Sequence, residues 1–353
     1  MRARLTFPLA AMLVAASALS PAAQTCKLSA APGALPENTT LFTNAQQTVA
    51  VYRAIVRRDD DGAPNAYHPC GANYSDPVCK AGFGLDHICS GVTVHDANNK
   101  YVPPREKNPK TGKPTSKRCL DTFRAAEATE FPMCGAGKAC VTGWPGITLI
   151  PRDPSAAGFM PQIPMVQKDG PYQGYYVSQT TLQRPDKTKP GGISYIDARK
   201  IPFIVVPGSS VLTGHWGFGS STRPDIALVL ATRSDGATRG VFAVVADTGP
   251  VAQIGEGSPA LLGRLRGVSA EELNSERPAA SPIPGGKFSQ KATYVLFKGS
   301  SQFLSSVWPE RDLTASDIVV AGNRALTAAG GLAMLAGCTG VPANVGSVTL
   351  VQP

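Results

Sequence analysis

Charged side chains are scarce in this sequence: Asp, Glu, Lys and Arg make up 17% of 353 residues, whereas about a quarter is usual. Long helices are also disfavoured, because 36 Gly and 31 Pro destabilise helix interiors. This composition excludes a coiled coil or a long helical bundle. No Gly-X-Y period occurs, which excludes collagen. Apolar residues still make up 42%, so the chain can bury a core and is not wholly disordered.

The N-terminus has the pattern of a secretory signal peptide. Arg2 and Arg4 precede an apolar run over Leu5–Leu19, and small residues follow up to Ala23, as at a cleavage site. The alternative is a membrane anchor, but the run falls short of the roughly 20 residues that a span needs. No later stretch is apolar enough to cross a bilayer. We therefore predict a signal peptide over residues 1–23 and one exported domain over 24–353, secreted or periplasmic and free of the membrane.

The cysteines favour disulfides over a metal site. No C-x-x-C pair occurs, and the four histidines show no ligand spacing, so no metal or other cofactor is expected. An even number of cysteines in an exported chain favours disulfide bonds, and their pairing is left open. The eight cysteines, seven of them before residue 141, are Cys26, Cys70, Cys79, Cys89, Cys119, Cys134, Cys140 and Cys338.

The chain is basic, with a formal charge of +9. Removal of the predicted leader takes away Arg2 and Arg4 and no acid, which leaves +7. This balance suits an anionic partner, although it identifies none. The densest basic cluster, over residues 100–118, has no aromatic side chains within its core. A base-stacking nucleic-acid groove is therefore not expected, and a solvated loop is the simpler interpretation.

Short apolar runs bounded by turn residues predict a mainly β fold with few short helices and a disulfide-rich N-terminal half. Such runs are typical of strands that are buried on both faces, and many of them at regular spacing favour a barrel or a sandwich. Ser258 and Pro259 predict the start of a short helix over Leu261–Leu265. The predicted strands are Val49–Val56, Gly174–Thr180, Ile147–Ile150, Ile201–Val206, Ile226–Ala231, Val241–Ala246 and Tyr294–Phe297.

Two carboxylates follow the strand that ends near Ala246. Asp247 leads directly into Thr-Gly-Pro, and Glu256 lies between Gly255 and Gly257, where the missing side chains would let a polymer or a second backbone approach. A pair of carboxylates beside a groove is what glycosidic hydrolysis requires. The alternative is structural: Asp247 closes its own turn, and Glu256 caps the following helix.

Several ordered motifs of the chain resemble the family 75 glycoside hydrolases, the fungal-type chitosanases. The resemblance covers nearly the whole predicted mature chain. Its motifs are Asp60-Asp61-Gly62-Ala63-Pro64, Tyr67-His68-Pro69, Gly84-Leu85-Asp86, Tyr176-Val177-Ser178-Gln179-Thr180, Tyr195-Ile196-Asp197-Ala198-Arg199 with Ile201-Pro202, Pro224-Asp225-Ile226-Ala227, Ala246-Asp247-Thr248-Gly249-Pro250 and Ile254-Gly255-Glu256-Gly257-Ser258.

The resemblance implies endo-hydrolysis of a β-1,4-linked glucosamine polymer with inversion at the anomeric carbon. The family's catalytic Asp and Glu fall on Asp247 and Glu256, and we expect Glu256 to be the general acid and Asp247 the general base. Further matched positions are candidates for substrate binding, with turn, hydrogen-bonding or core roles as the alternative. They are Asp61, Tyr176, Gln179, Asp197 and Asp225.

The net charge of the chain favours a substrate other than chitosan. Chitosan is a polycation and the chain is basic, so an anionic or neutral polymer such as peptidoglycan glycan would suit the charge better. The Asp-Thr-Gly element at Asp247 also resembles that of double-psi barrel enzymes that act on peptidoglycan, which makes a double-psi type of single-domain β-barrel the expected fold. A third alternative is a non-catalytic wall-binding barrel. We expect a monomer, and a calcium site at residues 59–61 is disfavoured because the full loop pattern is absent.

Overall fold

The computed structural model describes residues 26–65, 67–68, 83–84, 89, 92–135, 137–142, 167, 170–188, 193–268, 272, 291–336, 338 and 348–353. The signal peptide predicted over residues 1–23 lies outside these residues. So do the strand predicted at Ile147–Ile150 and two of the cysteines, Cys70 and Cys79. The described chain is mainly β, with 30% strand against 22% helix, which confirms the predicted class.

The strands and helices are numbered in chain order. The strands are β1 (Ser29–Leu35), β2 (Thr39–Thr43), β3 (Val49–Ala54), β4 (Arg57–Arg58), β5 (Tyr67–His68), β6 (Phe83–Gly84), β7 (Thr93–His95), β8 (Tyr101–Val102), β9 (Glu106–Lys107), β10 (Pro114–Thr115), β11 (Cys140–Thr142), β12 (Gln183–Pro185), β13 (Ile193–Tyr195), β14 (Phe203–Pro207), β15 (Ile226–Thr232), β16 (Thr238–Gly249), β17 (Glu256–Gly257), β18 (Ala292–Phe297) and β19 (Thr349–Leu350). The α-helices are α1 (Lys117–Ala128), α2 (Val211–Gly214), α3 (Pro259–Arg266) and α4 (Ala315–Ala328), and 3-10 turns span Pro36–Asn38, Ser300–Leu304 and Leu332–Leu335.

One ten-stranded mixed sheet organises the fold. Its strand order is β1-β2-β3-β18-β15-β16-β14-β17-β4, and β19 pairs with β16 beside this path. Most neighbours are antiparallel, but β14 and β16 run parallel, with Val205 opposite Asp247. The C-terminal ends of β14 and β16 therefore lie at the same edge of the sheet, and Asp247 lies at that edge.

The central strands are buried on both faces, as their continuous apolar runs predicted. Alternate side chains of each strand enter two separate apolar clusters. In β15, Ile226, Leu228 and Leu230 face the cluster that contains α4, and Ala227, Val229 and Ala231 face the cluster that contains α3. A Cβ on Gly322 of α4 would lie 2.3 Å from the ring of Phe242, so glycine is what lets this helix pack closely on β16.

The barrel prediction was wrong, because the sheet is not a closed barrel. The first and last strands in its order, β1 and β4, are not paired with each other among the described residues. Regular spacing of short apolar strands cannot distinguish closure from an open sheet that helices cover on each face. Residues 49–58 contribute two strands that lie far apart in the strand order of the sheet. The first, β3, pairs with β18, and the second, β4, pairs with β17. The pairing of β4 with β17 positions the candidate site.

The predicted elements near the site are mostly confirmed. Helix α3 begins after Ser258, whose hydroxyl accepts a hydrogen bond from the Leu261 amide, and it ends at Gly267 with a left-handed φ of 76°. The predicted strand at residues 174–180 was wrong. This stretch carries only isolated bridge pairs at Tyr176 and Ser178, because its polar groups bond to loops rather than along a ladder.

Disulfide bonds are present, as predicted. Three join described cysteines: Cys26–Cys338, Cys89–Cys119 and Cys134–Cys140. Among the described residues, no helix combines the length and hydrophobicity needed to span a membrane.

Candidate active site

Asp247 lies where the long apolar strand β16 reaches its polar end. Its side chain is 5% exposed, and Oδ1 accepts hydrogen bonds from the amide of Thr248 at 2.7 Å and from the amide and hydroxyl of Thr181 at 3.0 and 2.5 Å. These donors fix the orientation of the carboxyl group. Burial raises the pKa of Asp247 from its usual 3.8 to about 6, although the bonds from Thr181 and Thr248 act in the opposite direction.

Glu256 begins the short strand β17, between β14 and β4. A Cβ on the preceding Gly255, whose φ is 94°, would lie 2.2 Å from the carbonyl oxygen of Ile55. Position 255 therefore requires glycine because a second backbone segment passes close to it. This was one of the two explanations for the flanking glycines considered from the sequence. Burial raises the pKa of Glu256 and the charge of Asp247 adds to this, whereas the Arg57 guanidinium lowers it.

Asp247 and Glu256 share one side of the sheet edge. Glu256 Oε2 lies 2.8 Å from the position that a Cβ on Gly249 would occupy. Gly249 is two residues beyond Asp247 on the same strand, and side chains two apart point to the same face at roughly 6.6 Å along it. The pair that the sequence singled out is therefore brought together.

Two further carboxylates join this pair. Side-chain oxygens of Asp59, Asp61 and Asp247 lie within 4.8 Å of one another, and Asp59 also donates its backbone amide to Gly257 O at 2.9 Å. Asp61 was predicted as a substrate-binding residue, but Asp59 was not a candidate catalytic residue. Its local signal was its position two residues before Asp61, in the same turn-forming segment. We call Asp59, Asp61, Asp247 and Glu256 the carboxylate cluster.

The loop that carries Asp59 and Asp61 is held rigidly. Gly62, with a φ of 82°, donates its amide to Ser178 O at 2.7 Å and accepts from Ala198 N at 3.3 Å. A Cβ on Gly62 would lie 2.0 Å from Ile196 O. Glycine is thus the residue that fits between the loop and the segments that pack on it.

The two arginines next to the cluster form ion pairs with acidic residues outside it. Arg57 forms an ion pair with Glu37 at 2.7 Å and donates to Ile254 O at 2.5 Å. Arg58 holds Asp60 through its Nε and Nη2 atoms, with a closest distance of 2.6 Å. Both guanidinium groups are therefore shared with acids outside the carboxylate cluster, and the charge of the cluster is only partly compensated.

Burial raises the pKa of both added carboxyl groups. For Asp59 the charges of Asp61, Asp247 and Glu256 act in the same direction. For Asp61 the charge of Asp247 adds to burial, and a hydrogen bond from Ser178 opposes it. Carboxyl groups this close cannot all ionise freely, so the cluster retains protons at pH values where an isolated Asp is ionised. Its oxygens are also of the type that binds hard cations, although Ca²⁺ takes six to eight of them.

Two other predicted substrate contacts are buried. Tyr176 has no exposed surface, packs edge-on against Phe123 and Phe131, and donates its hydroxyl to Glu127. It is a core residue in this structure. Gln179 is 6% exposed and accepts from Gln183 Nε2 at 3.2 Å.

The remaining two predicted contacts stabilise turns. Asp197 accepts from Arg199 N at 3.0 Å and pairs with Lys200 at 3.2 Å. Asp225 is 8% exposed and accepts from Ser301 N at 3.0 Å, at the start of the Ser300–Leu304 turn. The structure therefore brings together Asp61, Asp247 and Glu256, and it places Tyr176 and the two turn aspartates in structural roles.

No protein-family model matches the chain, and no curated protein matches it either. The function is therefore argued from the carboxylate cluster and from the sequence motifs.

Proposed function

We propose that the protein is an exported glycoside hydrolase that cleaves a β-1,4-linked glucosamine polymer with inversion. The observation that carries this proposal is the carboxylate cluster around Asp247 and Glu256. The family 75 resemblance had assigned these two residues to catalysis. Export is supported by the predicted leader and by the disulfides, which persist in oxidising compartments.

Inversion is what the family resemblance implies for this pair. Inverting glycosidases hold their acid and base roughly 6.5–9.5 Å apart, which leaves room for a water molecule between base and sugar. Retaining enzymes need a shorter separation of about 5–5.5 Å. The anomeric configuration of the first product therefore tests this part of the proposal.

The roles follow from the local contacts. We assign Asp247 as the general base, as the resemblance implies: burial raises its pKa to about 6, and the three donors on Oδ1 favour the ionised form that a base needs. Glu256 is then the general acid, because burial raises its pKa as well and the leaving oxygen needs a protonated partner. In the reaction a water oxygen bonds to the anomeric carbon as the glycosidic C–O bond breaks. Asp247 takes one water proton, and the leaving oxygen takes the proton of Glu256.

Local charge supports a cationic substrate. The chain as a whole is basic, yet four carboxylates converge at this site and the nearest arginines are paired with Glu37 and Asp60. An acidic site attracts glucosamine ammonium groups and would repel the carboxylates of peptidoglycan. The charge of the site therefore favours chitosan over the peptidoglycan alternative, which the net charge alone had favoured.

A non-catalytic wall-binding protein is the alternative from another class. The observation in its favour is the low exposure of Asp247, 5%, since a base must reach substrate water. Asp247 nevertheless lies among other carboxylates, which is not the environment of a core residue.

Reducing-end release by the purified mature protein tests the proposal. Chitosan, chitin and peptidoglycan are offered side by side, with Asp247→Asn and Glu256→Gln as inactive variants. Asp235→Asn, in an exposed hairpin turn where Asp235 pairs with Arg233, is the matched control. Release from chitosan that both site variants abolish is the expected result, and proton NMR of the first product should show the inverted anomer. Binding to a polymer without release from any of the three would refute the hydrolase.

A further inference from the structure

The geometry of three cluster oxygens defines a small polar position. Oxygens of Asp59, Asp61 and Asp247 lie within 4.8 Å of one another. Three points this close always share a point no more than about 2.8 Å from each, which is the usual length of an O–H···O hydrogen bond. One point in space therefore lies within hydrogen-bond distance of an oxygen of each of the three carboxyl groups.

Asp59 has an oxygen that needs such a contact. Its Oδ1 accepts the Asp61 amide at 3.1 Å, but Oδ2 is buried and has no hydrogen-bond partner among the described residues. A buried polar atom without a partner costs about 1–3 kcal/mol. The backbone contacts of Gly62 hold this loop and therefore keep Asp59 Oδ2 in a fixed position. A fixed position is expected if this oxygen contacts a ligand.

We propose that Asp59 and Asp61, together with Asp247, position the water that attacks the anomeric carbon. This rests on the proposed hydrolase function and adds two positioning residues to it. A water has two protons and two lone pairs. It can donate to two ionised carboxylates, accept from the third carboxyl group in its protonated form, and keep one lone pair directed at the sugar.

A backbone hydrogen bond connects this position to the strand that carries Glu256. The Asp59 amide is bonded to Gly257 O at 2.9 Å, the residue directly after Glu256. The water position and the general acid are thus fixed to the same strand pair, β4 and β17. Asp247 takes the water proton from this position during attack.

Kinetics of Asp59→Asn and Asp61→Asn on chitosan test the proposal, with Asp235→Asn as control. A variant that misplaces the water should lose about 100-fold in kcat and keep KM within about twofold, because the water does not bind the polymer. Asn has the size of Asp and removes a buried charge, so thermal melts should show both variants folded. A raised KM with unchanged kcat would assign these residues to ammonium binding and overturn the proposal, as would wild-type kinetics in both variants.

Two further outcomes are distinguishable. If the wild type cleaves chitosan and Glu256→Gln does not, while Asp59→Asn keeps full kcat, only the positioning proposal fails. A wild type that cleaves none of the three polymers overturns both proposals. Chelation with EDTA provides the other arm: activity lost on chelation and restored by Ca²⁺ would place a cation rather than a water between the three carboxylates.

Discussion

Neutralising Asp247 should make the protein more stable at neutral pH, and the gain should disappear in acid. Burial raises the pKa of Asp247 in the folded protein from 3.8 to about 6. The folded state therefore favours the protonated form. The stability that this carboxyl group contributes is fully present below about pH 3.8 and is lost as the pH rises through about 6.

The magnitude follows from the pKa shift. A difference of about two units corresponds to about 3 kcal/mol of unfolding free energy. Asp247→Asn cannot ionise, and its side-chain oxygen can still accept from Thr181 and Thr248. Removing this charge also lowers the pKa of Asp59 and Asp61, since Asp247 raises both. The effect of these neighbours has the same sign, so the Asn variant should gain about 3 kcal/mol or more on wild type between pH 3.5 and pH 7.5.

The assay is denaturant unfolding of wild type and Asp247→Asn at a series of pH values, under non-oxidising and non-reducing conditions that keep the disulfides intact. Other titrating groups occur in both proteins and cancel in the difference. Asp235→Asn, in an exposed turn outside the carboxylate cluster, is the matched control and should not show this gain at neutral pH. A flat difference for Asp247→Asn, or one that falls as pH rises, would refute the reasoning about the buried carboxyl group.

Three further predictions concern the frame of the site. Gly62→Ala should lose about 1–3 kcal/mol of stability and the activity with it, measured by denaturant unfolding and chitosan cleavage, because a Cβ would lie 2.0 Å from a carbonyl oxygen; unchanged stability would contradict the rigid loop. Arg57→Met should raise the pKa of Glu256, since the guanidinium lowers it, and move the basic limb of the kcat/KM profile to higher pH; an unmoved or lowered limb would argue against Glu256 as the acid. Replacing Cys26 and Cys338 by Ser should cost about 2–5 kcal/mol by denaturant midpoint without changing KM, and a changed KM would link this disulfide to the site.

The sequence predicted the strands well where one physical signal was sufficient. Continuous apolar runs marked the strands of the central sheet because both faces of that sheet are covered, as at β15, where every residue from Ile226 to Ala231 is buried. The same signal could not decide closure, since a strand buried inside a barrel and a strand covered by helices have the same composition. It also failed at residues 174–180, where β-forming side chains occupy a loop.

The residues of the candidate site divide in the same way, into those that the neighbouring sequence identified and those that depend on contacts between distant segments. Asp247 and Glu256 were identifiable because a carboxylate directly after a buried strand, and a carboxylate between two glycines, are both locally unusual. Tyr176 is buried, which its motif did not reveal, because an aromatic side chain in a motif does not show whether it faces a groove or the core. Asp59 was overlooked because its importance depends on β4 lying beside β17, a pairing between segments far apart in the sequence. The charge of the whole chain likewise does not describe the site, because a basic protein can concentrate its carboxylates at one sheet edge.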